Sequence, residues 1–179
     1  MFNTNKKILI PIILIVVSAL VLLAIFYKEE DVPFDKVEFS SDNIIFNRDL
    51  PTYMDTIVLA GLDVLQFKNK RVMIRPLGIK NSGDLDYEAY IVENYGNYFI
   101  FIKDLSRSKA IRVISHELIH LKQYEINQLE IKNGLVIWND SETYNSKDLP
   151  EYSKRPWERE AFDKSPELET KIEEILYSK

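Results

Sequence analysis

Along residues 106–128, "SRSKAIRVISHELIHLKQYEINQ", apolar side chains return at every third or fourth position. Ala110, Ile111, Ile114, Leu118 and Leu121 form one stripe, a period that places them on a single helical face. Ser106 or Ser108 stands where a helix cap is needed. A weaker helical pattern runs through "LPTYMDTIVLAGLDVLQFKNK", with Ile57, Leu59, Leu62, Leu65 and Phe67 in phase and Gly61 interrupting it. Strands are expected at "RVMIRP", "YEAYIVEN" and "NYFIFIK", the last two joined across Tyr95-Gly96. "LEIKNGLVIWN" predicts a second hairpin, because Asn133-Gly134 supplies the two positive-φ positions of a type I′ turn. Residues 140–154 read as loop. Two helices are expected to close the chain, one from Pro156 and one from Pro166, with Leu168, Ile172, Ile175 and Leu176 on one side of the second. The acidic outer face of that last helix reads as solvated. The order is helix, three strands, helix, hairpin, helix, helix. It predicts an α+β fold with a small, mainly antiparallel sheet.

One block departs from this amphipathic patterning. Residues 8–27, "ILIPIILIVVSALVLLAIFY", carry no charge, and about 20 helical residues cross a hydrocarbon layer of roughly 30 Å. A cleaved signal peptide usually has a shorter apolar run, about 7–15 residues, that ends at small side chains. This run ends in bulky ones, and the expectation is a retained single-span anchor. Lys6 and Lys7 precede it, against Lys28 and an acidic "EED" after it. That bias keeps residues 1–7 in the cytoplasm and places the rest on the extracytoplasmic side. Residues 28–50 then read as a juxtamembrane lead-in and residues 51–179 as the folded domain. With 179 residues the chain is long enough for one such domain.

Charge narrows the partners. The formal net charge is −5, and beyond residue 28 the chain has 20 basic and 28 acidic residues. A part this acidic, with no basic stripe, argues against nucleic acid as the main partner. The absence of cysteine removes disulfides and lipidated thiols.

The chemistry sits on the best helix. Both histidines of the chain, His116 and His120, lie four apart in "SHELIH" with Glu117 beside the first. On a helix that spacing stacks two imidazoles about 5–6 Å apart, close enough to converge on one metal ion. The intervening glutamate can then act on a water molecule rather than on the ion. A catalytic zinc ion usually takes three protein ligands. With no further histidine and no cysteine, the third must be a carboxylate. "RPWEREAF", residues 155–162, offers Glu158 and Glu160.

At "HELIH" and "EREA" the chain resembles the gluzincin class of zinc metallopeptidases, over roughly residues 87–163. The resemblance implies a zincin-like fold and one zinc ion per chain. It makes His116, His120 and Glu158 the metal ligands and Glu117 the general base. Glu160 is the rival third ligand. The family's Asp after the Ala is Phe162 here, with Asp163 one position late. The resemblance also implies an edge strand, Ala89 to Val92, that takes an extended peptide by strand addition. An oxyanion donor is needed as well, and Tyr144, Tyr152 and Arg155 are open choices. Trp138 and Trp157 read as core anchors; Gln123, one turn below His120, could touch the site but reads first as a solvated helix residue. The function expected is a membrane-anchored zinc peptidase acting on peptide or protein substrates. The alternative is a zinc-binding but inactive interaction domain at the cell envelope.

Overall fold

Alternation decides the central strand. In β4 (Asn97–Ile102) every second side chain is buried, Tyr98, Ile100 and Ile102, and the strand runs inside a four-stranded sheet. The computed structural model describes residues 42–47, 49–77 and 87–178. Its strands are β1 (Ile44–Asn47), β2 (Arg71–Pro76), β3 (Ala89–Asn94), β4, β5 (Leu129–Lys132), β6 (Leu135–Trp138) and β7 (Glu142–Asn145). Its helices are α1 (Tyr53–Val64), α2 (Arg107–Glu125) and α3 (Pro156–Tyr177). The fold is α+β, as the patterning predicts.

The main sheet is mixed rather than mainly antiparallel. It has the order β1-β2-β4-β3, with β1 and β4 parallel to β2 and only β3 antiparallel. β1 was not expected, since its residues fall within the lead-in assigned to 28–50. It is short, half exposed, and reaches β2 only after α1 has crossed back over the sheet, so it forms a βαβ unit whose strands must run parallel. β3 occupies the edge, where the strand beneath a peptide was expected. The smaller sheet, β5-β6-β7, is antiparallel. Its third strand and a 3₁₀ turn at Tyr152–Lys154 lie in residues read as loop. β7 is polar and mostly exposed, so only its ladder to β6 identifies it. Asn133-Gly134 has the expected positive φ, 53° and 75°, and Tyr95-Gly96 shares it, at 52° and 74°.

The chain closes on one 22-residue helix, α3, with Pro166 inside it, instead of two helices. Proline removes one helical hydrogen bond, to the carbonyl of Phe162, at a cost of roughly 3 kcal/mol. Ala161, Leu168, Ile172 and Leu176 continue one buried stripe through that point, and each large buried apolar side chain contributes about 1.5–3 kcal/mol. The stripe outweighs the break. α3 thus packs along both α1 and α2 in the main core, with Ile57, Leu62, Ile114, Leu118 and Ile172. Ser106 precedes α2 in an extended conformation but makes no side-chain cap bond. At the other end of α2, Glu125 accepts hydrogen bonds from Tyr98 and Lys70, tying the helix to β4 and the start of β2.

Among the described residues no helix is long and apolar enough to cross a membrane. The span expected over 8–27, its tail 1–7 and most of 28–50 lie outside the described residues.

Candidate metal centre

α2 has two working faces. Ile111, Ile114, Leu118 and Leu121 point into the core, while Glu117 and His120 face a cleft under β3 and His116 faces the cavity adjoining it. The third group comes from α3, whose start is fixed by aromatic packing. Trp157 lies 6.4 Å from Trp138 and edge-on to Tyr144 at 5.4 Å. Both tryptophans are buried, as expected of core anchors. Pro156 sets the first helical position, and the next residue after Trp157 is Glu158, one turn deep against the histidines.

The result is a near-equilateral triangle. Nε2 of His116 and Nε2 of His120 are 3.2 Å apart, and Oε2 of Glu158 is 3.3 Å from the first and 3.2 Å from the second. Ligand atoms held tetrahedrally at about 2.0–2.1 Å from an ion are separated by about 3.3–3.4 Å along each edge. Three acceptor-capable atoms at that spacing repel unless a cation or protons lie between them. The donor set therefore fits a metal ion, and these three residues are the group that can hold one among the described residues.

The electrostatics agree. Burial disfavours the charged form of Glu158, but hydrogen bonds from His116, His120 and the Tyr152 hydroxyl outweigh it and hold the carboxyl well below its usual range. Burial likewise disfavours charge on His120, yet Glu158, Glu117 and Gln123 raise it above the ordinary imidazole value. Glu117 is pushed up by burial, with partial relief from the two histidines and from the backbone N–H of Ile91 in β3. Tyr152 is raised by burial and by Glu158, so its hydroxyl keeps its proton.

Glu160, the rival ligand, is not in the triangle. It accepts a hydrogen bond from Gln123 at 2.9 Å and pairs with Lys164. Phe162, at the position of the family's Asp, packs its ring 4.7 Å from that of His116. Asp163 is exposed. Of the three oxyanion candidates, Tyr152 is the one bonded to a triangle residue. Arg155 stacks over the Tyr152 ring at 5.4 Å and donates to the Pro150 carbonyl. Tyr144 donates to Glu142 away from the centre.

Of the two readings of Gln123, the structure takes the one that touches the site. Gln123 is 1% exposed, not solvated, and its amide oxygen lies 2.8 Å from Nδ1 of His120. The signal was present in the spacing: residues three apart on a helix are neighbours. "HLKQ" puts an amide beside the second histidine.

Two adjoining cavities, about 530 Å³ and 250 Å³, flank the centre and share Tyr87, Ala89, Glu117 and Tyr152. The larger runs between α2 and α3 past Val113, Phe162 and Pro166; the smaller passes under Ile91 toward Leu129 and Val136 of the second sheet. No protein-family model, curated protein or solved structure matches this chain.

Proposed function

We propose that this chain is a zinc-dependent peptidase, carried on an N-terminal membrane anchor with its catalytic domain on the extracytoplasmic side. The observation that carries the reading is the triangle of His116, His120 and Glu158, at tetrahedral spacing, with the Glu117 carboxylate beside it in an open cleft. Two imidazoles and one carboxylate are a catalytic zinc set, which leaves a position open. When bound, such an ion lowers the pKa of a water molecule to about 7 and polarises a carbonyl oxygen.

The remaining steps belong to the protein. Glu117 takes the proton of the attacking water as its oxygen bonds to the peptide carbonyl carbon. The same carboxyl then returns a proton to the amine nitrogen as the C–N bond breaks. The neutral Tyr152 hydroxyl has one proton, shared with Glu158 in this structure, and turning it from Glu158 would supply a hydrogen bond to the oxygen on which negative charge grows. β3, as the edge strand, offers main-chain groups to an extended peptide, with little demand on its sequence. The flanking cavities leave room for chain on both sides of the reacting bond, which favours internal bonds of an unfolded segment over terminal ones.

The test uses the full-length chain in detergent, its zinc content, and turnover of an unstructured protein such as casein. About one zinc per chain is expected, and Glu117→Gln should keep it while hydrolysis falls by a factor of at least about 100. Equal cleavage by Glu117→Gln would remove the peptidase mechanism. Zinc without cleavage in the wild type would instead support the inactive interaction domain, for which the Phe162 substitution of the family's Asp speaks.

A further inference from the structure

The amide of Gln123 has only one orientation that satisfies its neighbours. It sits 3.0 Å from the carbonyl oxygen of Trp157, 2.9 Å from Oε2 of Glu160 and 2.8 Å from Nδ1 of His120. A backbone carbonyl can only accept, and a carboxylate ion-paired to Lys164 can only accept. Both therefore need the two N–H groups of the amide, and the amide oxygen is left for His120. An oxygen acceptor at 2.8 Å requires a donor, so Nδ1 of His120 must carry the proton. In the neutral ring, the form that binds a metal ion, the lone pair then lies on Nε2, the atom that points at His116 and Glu158.

Resting on the metal-binding reading above, we propose that Gln123 is a positioning residue for the metal centre. Clamped by Trp157 and Glu160, its amide fixes the tautomer of His120 and aims Nε2 at the ion. The chain His120–Gln123–Glu160 does through an amide what a direct carboxylate partner does for many metal-bound histidines. It also spans two helices. Gln123 belongs to the helix with two ligands, and its anchors flank the third ligand, one residue before and two after Glu158. A single side chain thus holds both halves of the site in register. Glu160 gains a role distinct from that of a ligand.

The experiment compares full-length wild type with Gln123→Met, Gln123→Glu, and the exchange Gln123→Glu with Glu160→Gln. Zinc affinity is measured by chelator competition, the His120 ring by long-range ¹H–¹⁵N spectra of zinc-loaded protein, and folding by thermal unfolding without metal. Wild type should show zinc on Nε2 and a slowly exchanging proton on Nδ1. Gln123→Met removes the acceptor and should weaken zinc by about 10–100-fold. Gln123→Glu cannot donate to Trp157 and faces Glu160, so it should also weaken zinc. The exchange restores one donor and the net charge, and should recover affinity to within about tenfold of wild type. Recovery by exchange, with unchanged metal-free unfolding, is not expected of a residue that merely fills space. Zinc bound through Nδ1 of His120 would overturn the proposal. So would a folded Gln123→Met that holds zinc as tightly as wild type. If Gln123→Met does not fold, the wild-type spectrum and the exchange decide. Wild type that takes up no zinc fails the metal reading and this inference with it. Wild type that binds while every Gln123 variant matches it fails this inference alone.

Discussion

Glu117, Glu158 and Glu160 are the same side chain in three settings, and the settings assign three different tasks. Glu117 is buried beside the histidines without lying in their triangle. Glu158 is buried with hydrogen bonds that favour its anion. Glu160 is bound to an amide and a lysine at the rim. In the proposed centre, Glu158→Gln replaces an anionic ligand by a neutral one. It should weaken zinc by more than the roughly 10–100-fold that loss of an outer partner costs. Chelator competition reads this directly, and unchanged affinity would remove Glu158 from the ligand set. Glu160→Gln keeps an oxygen that can accept from Gln123, so its effect on zinc should be the smaller of the two.

At the scale of elements, the three helices meet at Gly61. A methyl group there would lie 2.2 Å from Cδ1 of Leu118 and 3.1 Å from Cδ1 of Ile172. Leu118 is the central residue of "HELIH", fully buried on the face opposite the histidines. The glycine that weakens the helical pattern of α1 is thus what lets α1 approach α2. Gly61→Ala gains about 1 kcal/mol of helix propensity but overpacks the junction, at about 1–3 kcal/mol. A net loss of about 1 kcal/mol in urea unfolding is expected, together with a measurable drop in zinc affinity as α2 shifts. A variant more stable than wild type would show that Leu118 has room to move.

For the whole molecule, the centre couples folding to pH. In the metal-free protein the pKa of His120 is raised above 6.5. Its contribution to stability is fully present below the unfolded value and is lost as pH rises through the folded one. Glu158 is lowered from 4.5, so its contribution is present above that value and is lost only as pH falls through the depressed one. Glu117, raised by burial, adds a penalty as pH rises above 4.5. On these three groups the metal-free protein should therefore be most stable near pH 4.5, and its unfolding temperature should fall from there toward pH 8. Zinc should reverse the trend, because it binds deprotonated ligands. At free zinc 100 times the dissociation constant it adds about 2.7 kcal/mol. Thermal scans at several pH values, with and without zinc, check both slopes. A metal-free protein that gains stability toward pH 8 would contradict this account of the buried cluster.

What the sequence determined by itself was local. Periodicity and turn residues located α1, α2, β2 to β6 and both hairpin junctions, because those depend on residues within a few positions of one another. The HExxH spacing put two imidazoles and a carboxylate on one helical face for the same reason. Tertiary structure decided what depends on distant partners. β1 and β7 are weak as sequence and exist through the ladders that pair them with β2 and β6. Pro166 carries a stop signal that packing against α1 and α2 overrules. Glu158, the expected ligand, and its rival Glu160 are separated only once the docking of Trp157 on Trp138 fixes the rotation of α3. Gln123 looks like any polar helix residue until α3 closes over it. Its burial, and the partners that make an amide the right side chain there, come from residues more than thirty positions away.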